Sequence, residues 1–203
     1  GGKQDRVSHI NSTGGSAHSK LRFANTLVQL AARTRYEQLL NEGHSIHRYV
    51  LSPSVSGTIV PHPKLISELR LLQHNLYTLD DSTISIHAWT PQLSIRWQLN
   101  DRLYSWLAAE QRFRPPTGLE LVGYSGLIKG NSELKPERAN SAEIGVKHKS
   151  EQQLSQACLF LTENTDHIVF VQNAQREAIP INLSRSQILG AELSEPFNHV
   201  ANA

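Results

Sequence analysis

The feature that most constrains this chain is a pair of neighbouring segments near its middle in which apolar and polar residues alternate. The apolar positions of residues 91–99 are Leu93, Ile95, Trp97 and Leu99, and the polar positions between them are Gln92, Ser94, Arg96 and Gln98. Successive side chains of a β-strand point to opposite faces, so the segment predicts a strand with one apolar and one polar face. Asn100 and Asp101 predict a tight turn, and residues 102–113 are the expected partner strand.

Alternation of this kind recurs after residue 65 and predicts an antiparallel meander. Further strand candidates are residues 68–77, 83–89, 139–149, 154–161, 167–172 and 186–193. Short connections at 100–101 and 150–152 alternate with long ones at 114–138 and 163–180, and residues 162–166 are expected to break a strand. Tight periplasmic turns that alternate with long extracellular loops are typical of outer-membrane barrels. The predicted fold class is therefore all-β, as a partial antiparallel transmembrane β-barrel.

The pattern is weaker in residues 1–64. Residues 1–19 are rich in Gly, Ser, His and Asn and are expected to form a loop. Residues 21–40 are compatible with a helix or with a strand pair around 24–35, and later segments are β-like. Strands are favoured throughout, so the chain is interpreted as one partial barrel domain over 1–203, with clear strands at 65–195.

The composition argues against catalysis, metal binding and nucleic-acid binding. The net charge is only +2 and Lys and Arg form no cluster, whereas a nucleic-acid surface needs a basic patch. Cys158 is the single cysteine, which excludes an internal disulfide and a thiolate metal site. His44 and His47 are spaced i, i+3, but a polar strand face or a loop explains such a pair more often than a metal does. Because the common catalytic motifs are absent, we expect neither an enzyme nor a cofactor.

Two further features concern the membrane and the extent of the chain. No stretch approaches the roughly 20 apolar residues of a membrane helix, but barrel strands cross a bilayer with only every second residue apolar. The sequence has 203 residues, begins with Gly1 and contains no Met. These features favour a piece cut from a longer protein.

Four segments beyond residue 84 resemble the barrel of TonB-dependent siderophore receptors and follow one another in that family's order. The first is AWTPQLSIRWQLNDRLYSWLAAEQRFRPP, similar to the family's strand, turn and strand with an aromatic-Arg-Pro ending. The second is GNSELKPERANSAEIGVK, similar to its signature loop and the Glu-x-Gly-x-Lys strand that follows. The others are LSQACLFLTENTDHIVFV and ILGAELSEPF, similar to two later strands. Residues 1–64 contain no such motif.

The resemblance implies an outer-membrane location in a Gram-negative cell and uptake of a ferric siderophore or a similar chelate. The implied partners are outer-membrane lipid, the chelate, and the TonB complex, which the family contacts through a plug domain. The plug, the TonB box and the aromatic terminal strand have no counterpart in this sequence. Family barrels have about 22 strands, and this chain would supply about eight to ten, too few for closure.

Two alternatives stay open at this point. A soluble, secreted β-sandwich that binds carbohydrate through exposed Trp and Tyr would have a similar strand pattern. Solubility distinguishes the two, because a barrel with a lipid-facing apolar band is insoluble without detergent. A non-functional remnant of a receptor gene would have the same fold and motifs as the receptor.

Most residues of the signature loop are expected to shape the loop and not to contact a ligand. Pro115, Pro116 and Pro136 cannot donate to a β-ladder, so they are expected to end strands and stiffen the long loop. Lys135 and Glu137 are interpreted as fixing the loop at the barrel rim. Two interfacial belts are expected from the aromatic residues of the hairpin, which are Trp89, Trp97, Tyr104, Trp106 and Phe113.

Ligand contacts are expected from the long loops 114–138 and 163–180 and not from the strands. Arg114, Tyr124 and Lys129 are the predicted contributors. Cations attract an anionic iron chelate, and an aromatic ring offers a flat face to a catecholate or similar group.

The two faces of residues 91–99 are predicted separately. Leu93, Ile95 and Leu99 are expected on the lipid side, and Ser94, Arg96 and Gln98 on the concave side.

Overall fold

The computed structural model describes residues 9–41, 44–79, 83–124, 128–150, 154–172, 174 and 176–194. Its elements are β1 (His9–Phe23), β2 (Thr26–Asn41), β3 (His44–His62), β4 (Leu65–Leu79), β5 (Thr83–Gln98), β6 (Leu103–Arg114), α1 (Gly118–Val122), β7 (Gly123–Tyr124), β8 (Ile128–Lys129), β9 (Glu137–Lys149), β10 (Leu154–Gln172) and β11 (Ala178–Ser194). Among the described residues, no helix is long and apolar enough to cross a membrane.

All of these strands belong to one sheet with the order β1-β2-β3-β4-β5-β6-β9-β10-β11-β8-β7. Each long strand pairs antiparallel with its long neighbours in sequence, which confirms the predicted meander. The short β7–β8 hairpin lies within the connection between β6 and β9. It joins the start of β11 through a parallel bridge between Ile128 and Ala178. The described strands form an open sheet, because β1 and β7 lie at opposite ends of the order.

The hairpin between β5 and β6 has the predicted turn. β5 ends at Gln98, which pairs with Tyr104, and the Asn100 side-chain oxygen accepts from the Arg102 N–H at 2.9 Å. The turn is longer than two residues, and Arg96 therefore pairs with Trp106. The second predicted hairpin is also present, since Lys149 pairs with Leu154, while residues 151–153 lie outside the described residues.

Three expectations about the elements are wrong, namely those for residues 9–19, 162–166 and 163–180. Residues 9–19 form most of β1, because backbone pairing with β2 outweighs their loop-like composition. Residues 163–180 are no long loop: β10 continues through them to Gln172 and β11 begins at Ala178. Asp166, at φ 54°, lies within β10 and does not end it. Residues 115–136 contain a short helix, α1, in addition to the short strands.

The two faces of the sheet differ in shape and chemistry. A cleft is lined by Glu68, Ser94, Ala108 and Glu143, which lie on four different strands of the one sheet. A sheet lines a cleft by itself only where it curves, so this face is concave. The opposite, convex face exposes large apolar side chains, which include Leu69, Leu93, Trp97, Leu107, Ile144, Val146, Leu159, Leu161, Leu189 and Leu193.

The predicted faces of residues 91–99 agree with the structure. Ser94 and Arg96 line the concave cleft near Trp106, and the alternation of β5 places Leu93, Ile95 and Leu99 on the convex face. Arg96 therefore lies on the polar side of the sheet, as the strand pattern predicts.

The aromatic side chains of the hairpin do not all follow the prediction. Trp89 and Trp97 are exposed on the convex face at well-separated heights. Tyr104 and Trp106 line the concave cleft, so the expectation that they form belts is wrong. Their register with Lys147 and Gly145 places them on the polar face of β6. The Phe113 ring packs on His74, with ring centroids 5.2 Å apart.

Buried residues concentrate on the concave side, near the rim. We use "rim" for the end of the sheet that carries residues 115–136. The buried side chains there lie on the upper parts of β3, β4 and β5, and they are Ile46, Arg48, Leu76, Thr78, Ala88 and Thr90. Pro116 is fully buried and accepts a hydrogen bond from Arg48. The long connection thus folds inward over this part of the sheet.

Candidate functional site: the rim and the concave face

An ion-pair cluster, which we call the clasp, closes the base of the long connection. Its members are Arg114 at the end of β6, Glu120 of α1 and Glu137 at the start of β9. Arg114 donates from Nε and Nη2 to the two oxygens of Glu137 at 2.6 and 2.8 Å, and from Nη1 to both oxygens of Glu120 at 3.1 and 3.0 Å. The sheet register brings Arg114 opposite Glu137, so pairing of β6 with β9 assembles the clasp.

Glu137 also connects the clasp to β10. Its Oε1 accepts from the Ile168 N–H at 2.6 Å and lies 3.0 Å from His167 Nδ1. The hydrogen bonds from Arg114, opposed by partial burial and assisted by the Ile168 N–H, hold the pKa of this rim carboxyl below its usual range. Glu137 is therefore a stable carboxylate that joins three strands at the rim.

A second set of contacts fixes the end of the connection to β11. The Asn182 side chain accepts from the Lys135 N–H at 2.8 Å and donates to the carbonyls of Lys135 and Asp166 at 2.9 and 2.6 Å. The Asn131 side chain donates to the Pro180 carbonyl at 3.0 Å. These contacts support the interpretation of Lys135 and Glu137 as residues that fix the loop geometry.

Residues 115–122 form the part of the connection that folds inward, and we call them the inward segment. α1 begins with a capping box in which Thr117 and Glu120 bond each other's backbone N–H groups at 3.3 and 2.6 Å. Arg48 Nη2 donates to the Pro116 carbonyl at 2.8 Å, which ties the segment to β3. The segment is thus held by Arg114, by Arg48 and by the Asn131 N–H, which donates to the Glu120 carbonyl at 2.9 Å.

The concave face below the rim is polar and carries both signs of charge. One cleft is lined by Glu68, Arg70, Glu110, Arg112 and Glu143. A second, toward the turn between β5 and β6, is lined by Arg96, Lys147, Lys149, Glu143 and Glu192, among others. The Trp106 Nε1 donates to Glu143 at 3.0 Å across β6 and β9.

Nothing in the described ranges suggests a resident metal. No group of three or more His, Cys, Asp or Glu side chains is found there in a metal-binding arrangement. Both ring nitrogens of His47 are close to hydroxyls, with Tyr36 at 2.7 Å and Ser45 at 3.1 Å. The strand-face interpretation of His47 agrees with these contacts, and the His44 side chain lies outside the described residues.

Comparison with known families identifies the fold. A family model described as TonB dependent receptor-like, beta-barrel matches residues 23–201, which is most of the chain. This chain belongs to the TonB-dependent receptor β-barrel family. The match also removes the β-sandwich alternative, in agreement with the single continuous sheet.

Solved structures of a siderophore receptor, an iron transporter and a hemophore receptor share the fold at low sequence identity. The siderophore receptor PirA from Pseudomonas aeruginosa is 16% identical, with 92% of this chain and 37% of that chain covered and a TM-score of 0.77. The FrpB iron transporter from Neisseria meningitidis (F3-3 variant) is 14% identical, with coverage of 93% and 33% and a TM-score of 0.74. The hemophore receptor HasR from Serratia marcescens is 15% identical, with coverage of 93% and 39% and a TM-score of 0.72. The chain thus spans between 33% and 39% of the length of these structures.

The three predicted ligand contacts fall in two places. Arg114 belongs to the clasp, where two carboxylates already engage its guanidinium. Tyr124 and Lys129 lie in the β7–β8 hairpin, whose register pairs Tyr124 with Ile128 and Gly123 with Lys129. Lys129 is exposed, and the Tyr124 side chain lies outside the described residues.

Sequence reasoning missed Arg48, Glu120 and Asn182, which hold the rim together. Thr117 and Glu120 have the spacing of a capping box, and this signal would have revealed α1. Arg48 and Asn182 carry no local signal, because their partners lie 68 and 47 residues away in sequence, at Pro116 and Lys135.

Proposed function

We propose that this chain is a segment of the barrel of an outer-membrane receptor that takes up a ferric siderophore or a similar chelate. The family match supports the receptor assignment. The observation that carries the proposal is the division of one curved sheet into an apolar convex face and a polar concave face. Lipid on the outside and a polar lumen inside require this division. The activity is transport, not catalysis.

The arrangement of aromatic side chains supports a membrane around the convex face. Near the rim, the tilted rings of Tyr36 and Tyr49 have centroids 5.0 Å apart, and the rings of Tyr77 and His87 meet edge to face with centroids 5.6 Å apart. Toward the other end, Phe23 and Trp97 are exposed. Aliphatic residues occupy the convex face between these groups. Amphipathic rings at two heights, with an aliphatic band between them, are expected where strands cross two headgroup layers.

The rim is the proposed ligand side. Lys129 and Tyr124 lie on the β7–β8 hairpin, which pairs with the start of β11 at the rim, where a cation and a ring would meet an anionic chelate. Arg114 is a positioning residue in this proposal, because its contacts with Glu120 and Glu137 hold the base of the same connection. Energy would come from the TonB complex through a plug domain that contacts the concave face.

Binding to the full-length receptor that contains this segment tests the proposal. Replacing Tyr124 and Lys129 together with Ala should weaken binding of a ferric catecholate by at least tenfold, about 1.4 kcal/mol. The charge-matched control is Lys149→Ala, on the concave side at the opposite end of β9. Affinity within twofold of the wild type in a receptor that reaches the membrane folded would remove both residues from the site. A receptor that binds no ferric chelate would contradict the proposed function itself.

A further inference from the structure

The convex face of the last four long strands changes in chemistry from one row of residues to the next. Residues that lie opposite one another in the register form rows across β6, β9, β10 and β11. Two neighbouring rows are apolar, and they consist of Leu107, Ile144, Leu159 and Ala191, and of Ala109, Ala142, Leu161 and Leu189. The next row toward the rim is polar and consists of Gln111, Asn140, Glu163 and Gln187. The apolar band of the convex face therefore ends between these rows.

The following row toward the rim is cationic. Thr165 of β10 lies opposite Arg138 of β9 on one side and opposite Arg185 of β11 on the other. Because every second residue of a strand has the same face, all three lie on the convex face, in line with the apolar rows. Both arginines are exposed. At ordinary strand spacing their backbones are about 10 Å apart, so two guanidinium groups flank one hydroxyl.

The cationic row lies at the height of an aromatic belt. Trp97 is exposed near the turn between β5 and β6 and lies opposite Ser105, and the exposed Trp89 is eight residues away on the same strand. Phe113, eight residues beyond Ser105, lies opposite Arg138. Eight residues of a strand span about 27 Å, and a tilt of about 40° reduces this to about 21 Å across the membrane. Because the apolar band of such barrels is about 25 Å tall, the two ends of this distance fit the two headgroup layers.

The present contacts of the two arginines leave both charges accessible. Arg185 Nη2 pairs with Glu163 at 2.9 Å, but the Arg185 side chain remains 66% exposed. An exposed pair of this kind contributes little free energy, so it competes weakly with a more highly charged anion. The Arg138 guanidinium carbon lies 5.7 Å from the centroid of the Phe113 ring, which positions the charge without neutralising it. Two positive charges and one negative charge thus leave a net positive site beside Thr165.

We propose that Arg138, Thr165 and Arg185 bind the phosphate group of a lipid in the outer leaflet. Guanidinium groups bind phosphate through charge-assisted and often bidentate hydrogen bonds, and a hydroxyl can donate one more. The apolar rows on the same strands would contact the acyl chains of that lipid, whereas free phosphate would gain nothing from them. This inference rests on the proposed function, because it requires that the convex face lies in an outer membrane.

Lipid binding to the full-length receptor in detergent tests the site. The probe is lipid A that carries two phosphate groups, and bound lipid is counted by native mass spectrometry. Replacing Arg138 and Arg185 together with Gln should weaken binding at least tenfold, and lipid A without phosphate should bind the wild type at least tenfold more weakly. The charge-matched control is Lys20→Gln with Arg33→Gln. Both residues are exposed and alternate with the exposed apolar residues of β1 and β2, so they lie on the concave face, and binding should stay within twofold.

Two results would overturn the phosphate site. One is a loss of less than threefold in the double variant, and the other is equal binding of lipid A with and without phosphate. If the double variant does not fold, the single substitutions decide: a loss of at least threefold for each supports the site, and a smaller loss contradicts it. A receptor that does not insert into a bilayer would contradict the proposed function. An inserted receptor with unchanged lipid binding would contradict only the phosphate site.

Discussion

At the residue scale, close contacts between aromatic rings and glycines shape the concave face. The Trp106 indole lies against Gly145 on the neighbouring strand, where a Cβ would collide with the ring. Phe160 lies against Gly190 in the same way. Because glycine has no side chain, the large rings can lie close to the backbone of the neighbouring strand at these positions. The Trp106 Nε1 donates to Glu143 at 3.0 Å. The Glu-x-Gly-x-Lys strand of the signature thus has a steric reason for its glycine.

Replacing Gly145 with Ala tests this contact. The added methyl group must displace the indole or the backbone, so we expect a loss of about 1–3 kcal/mol in the free energy of unfolding. Trp106 fluorescence should change as the bond to Glu143 is lost. Gly57→Ala is the matched control, because a Cβ there meets nothing within 4 Å. Denaturant unfolding of both variants in detergent gives the comparison, and equal midpoints would contradict a steric role for Gly145.

At the element scale, the long connection is organised by partners far away in sequence. The prediction that residues 162–166 break a strand was wrong because Asp166, at φ 54°, is stabilised by a hydrogen bond from Asn182 across the sheet. The local composition is typical of a turn, but the hydrogen bond from the Asn182 side-chain amide holds Asp166 within β10. Periodicity did predict β5, β6 and β9, where one face is apolar and the other polar.

Asn182 provides the test at this scale. Asn182→Ala removes the acceptor of the Lys135 N–H and the donor to two carbonyls. We expect amide exchange of Lys135 to become at least tenfold faster, while the Ile168 N–H, bonded to Glu137, keeps its rate. Asn164→Ala is the control, since Asn164 bonds only the exposed Ser186 side chain among the contacts described for it. Unchanged exchange at Lys135 would show that other contacts hold the connection.

At the scale of the whole molecule, the sequence predicts the architecture better than the rim. Alternation of apolar and polar residues is a property of each strand, so it can be read without knowing the partner strands. The face assignments of Leu93, Ser94 and Arg96 were correct for this reason. Arg48 could not be predicted, because its burial arises from a connection that begins 66 residues later at Arg114 and folds back over β3.

The proposed function depends most on lipid covering the convex face. Quenching of paired fluorescent labels by lipid measures this directly. Fluorescent labels are placed at Leu93→Cys and Ser94→Cys, adjacent residues on opposite faces of β5, in a full-length receptor with Cys158 replaced by Ser. Leu161→Cys and Thr162→Cys form a second pair on β10. In bilayers of brominated lipid, we predict strong quenching at 93 and 161 and little at 94 and 162. Equal quenching within each pair, or the reverse order, would contradict a membrane-spanning sheet.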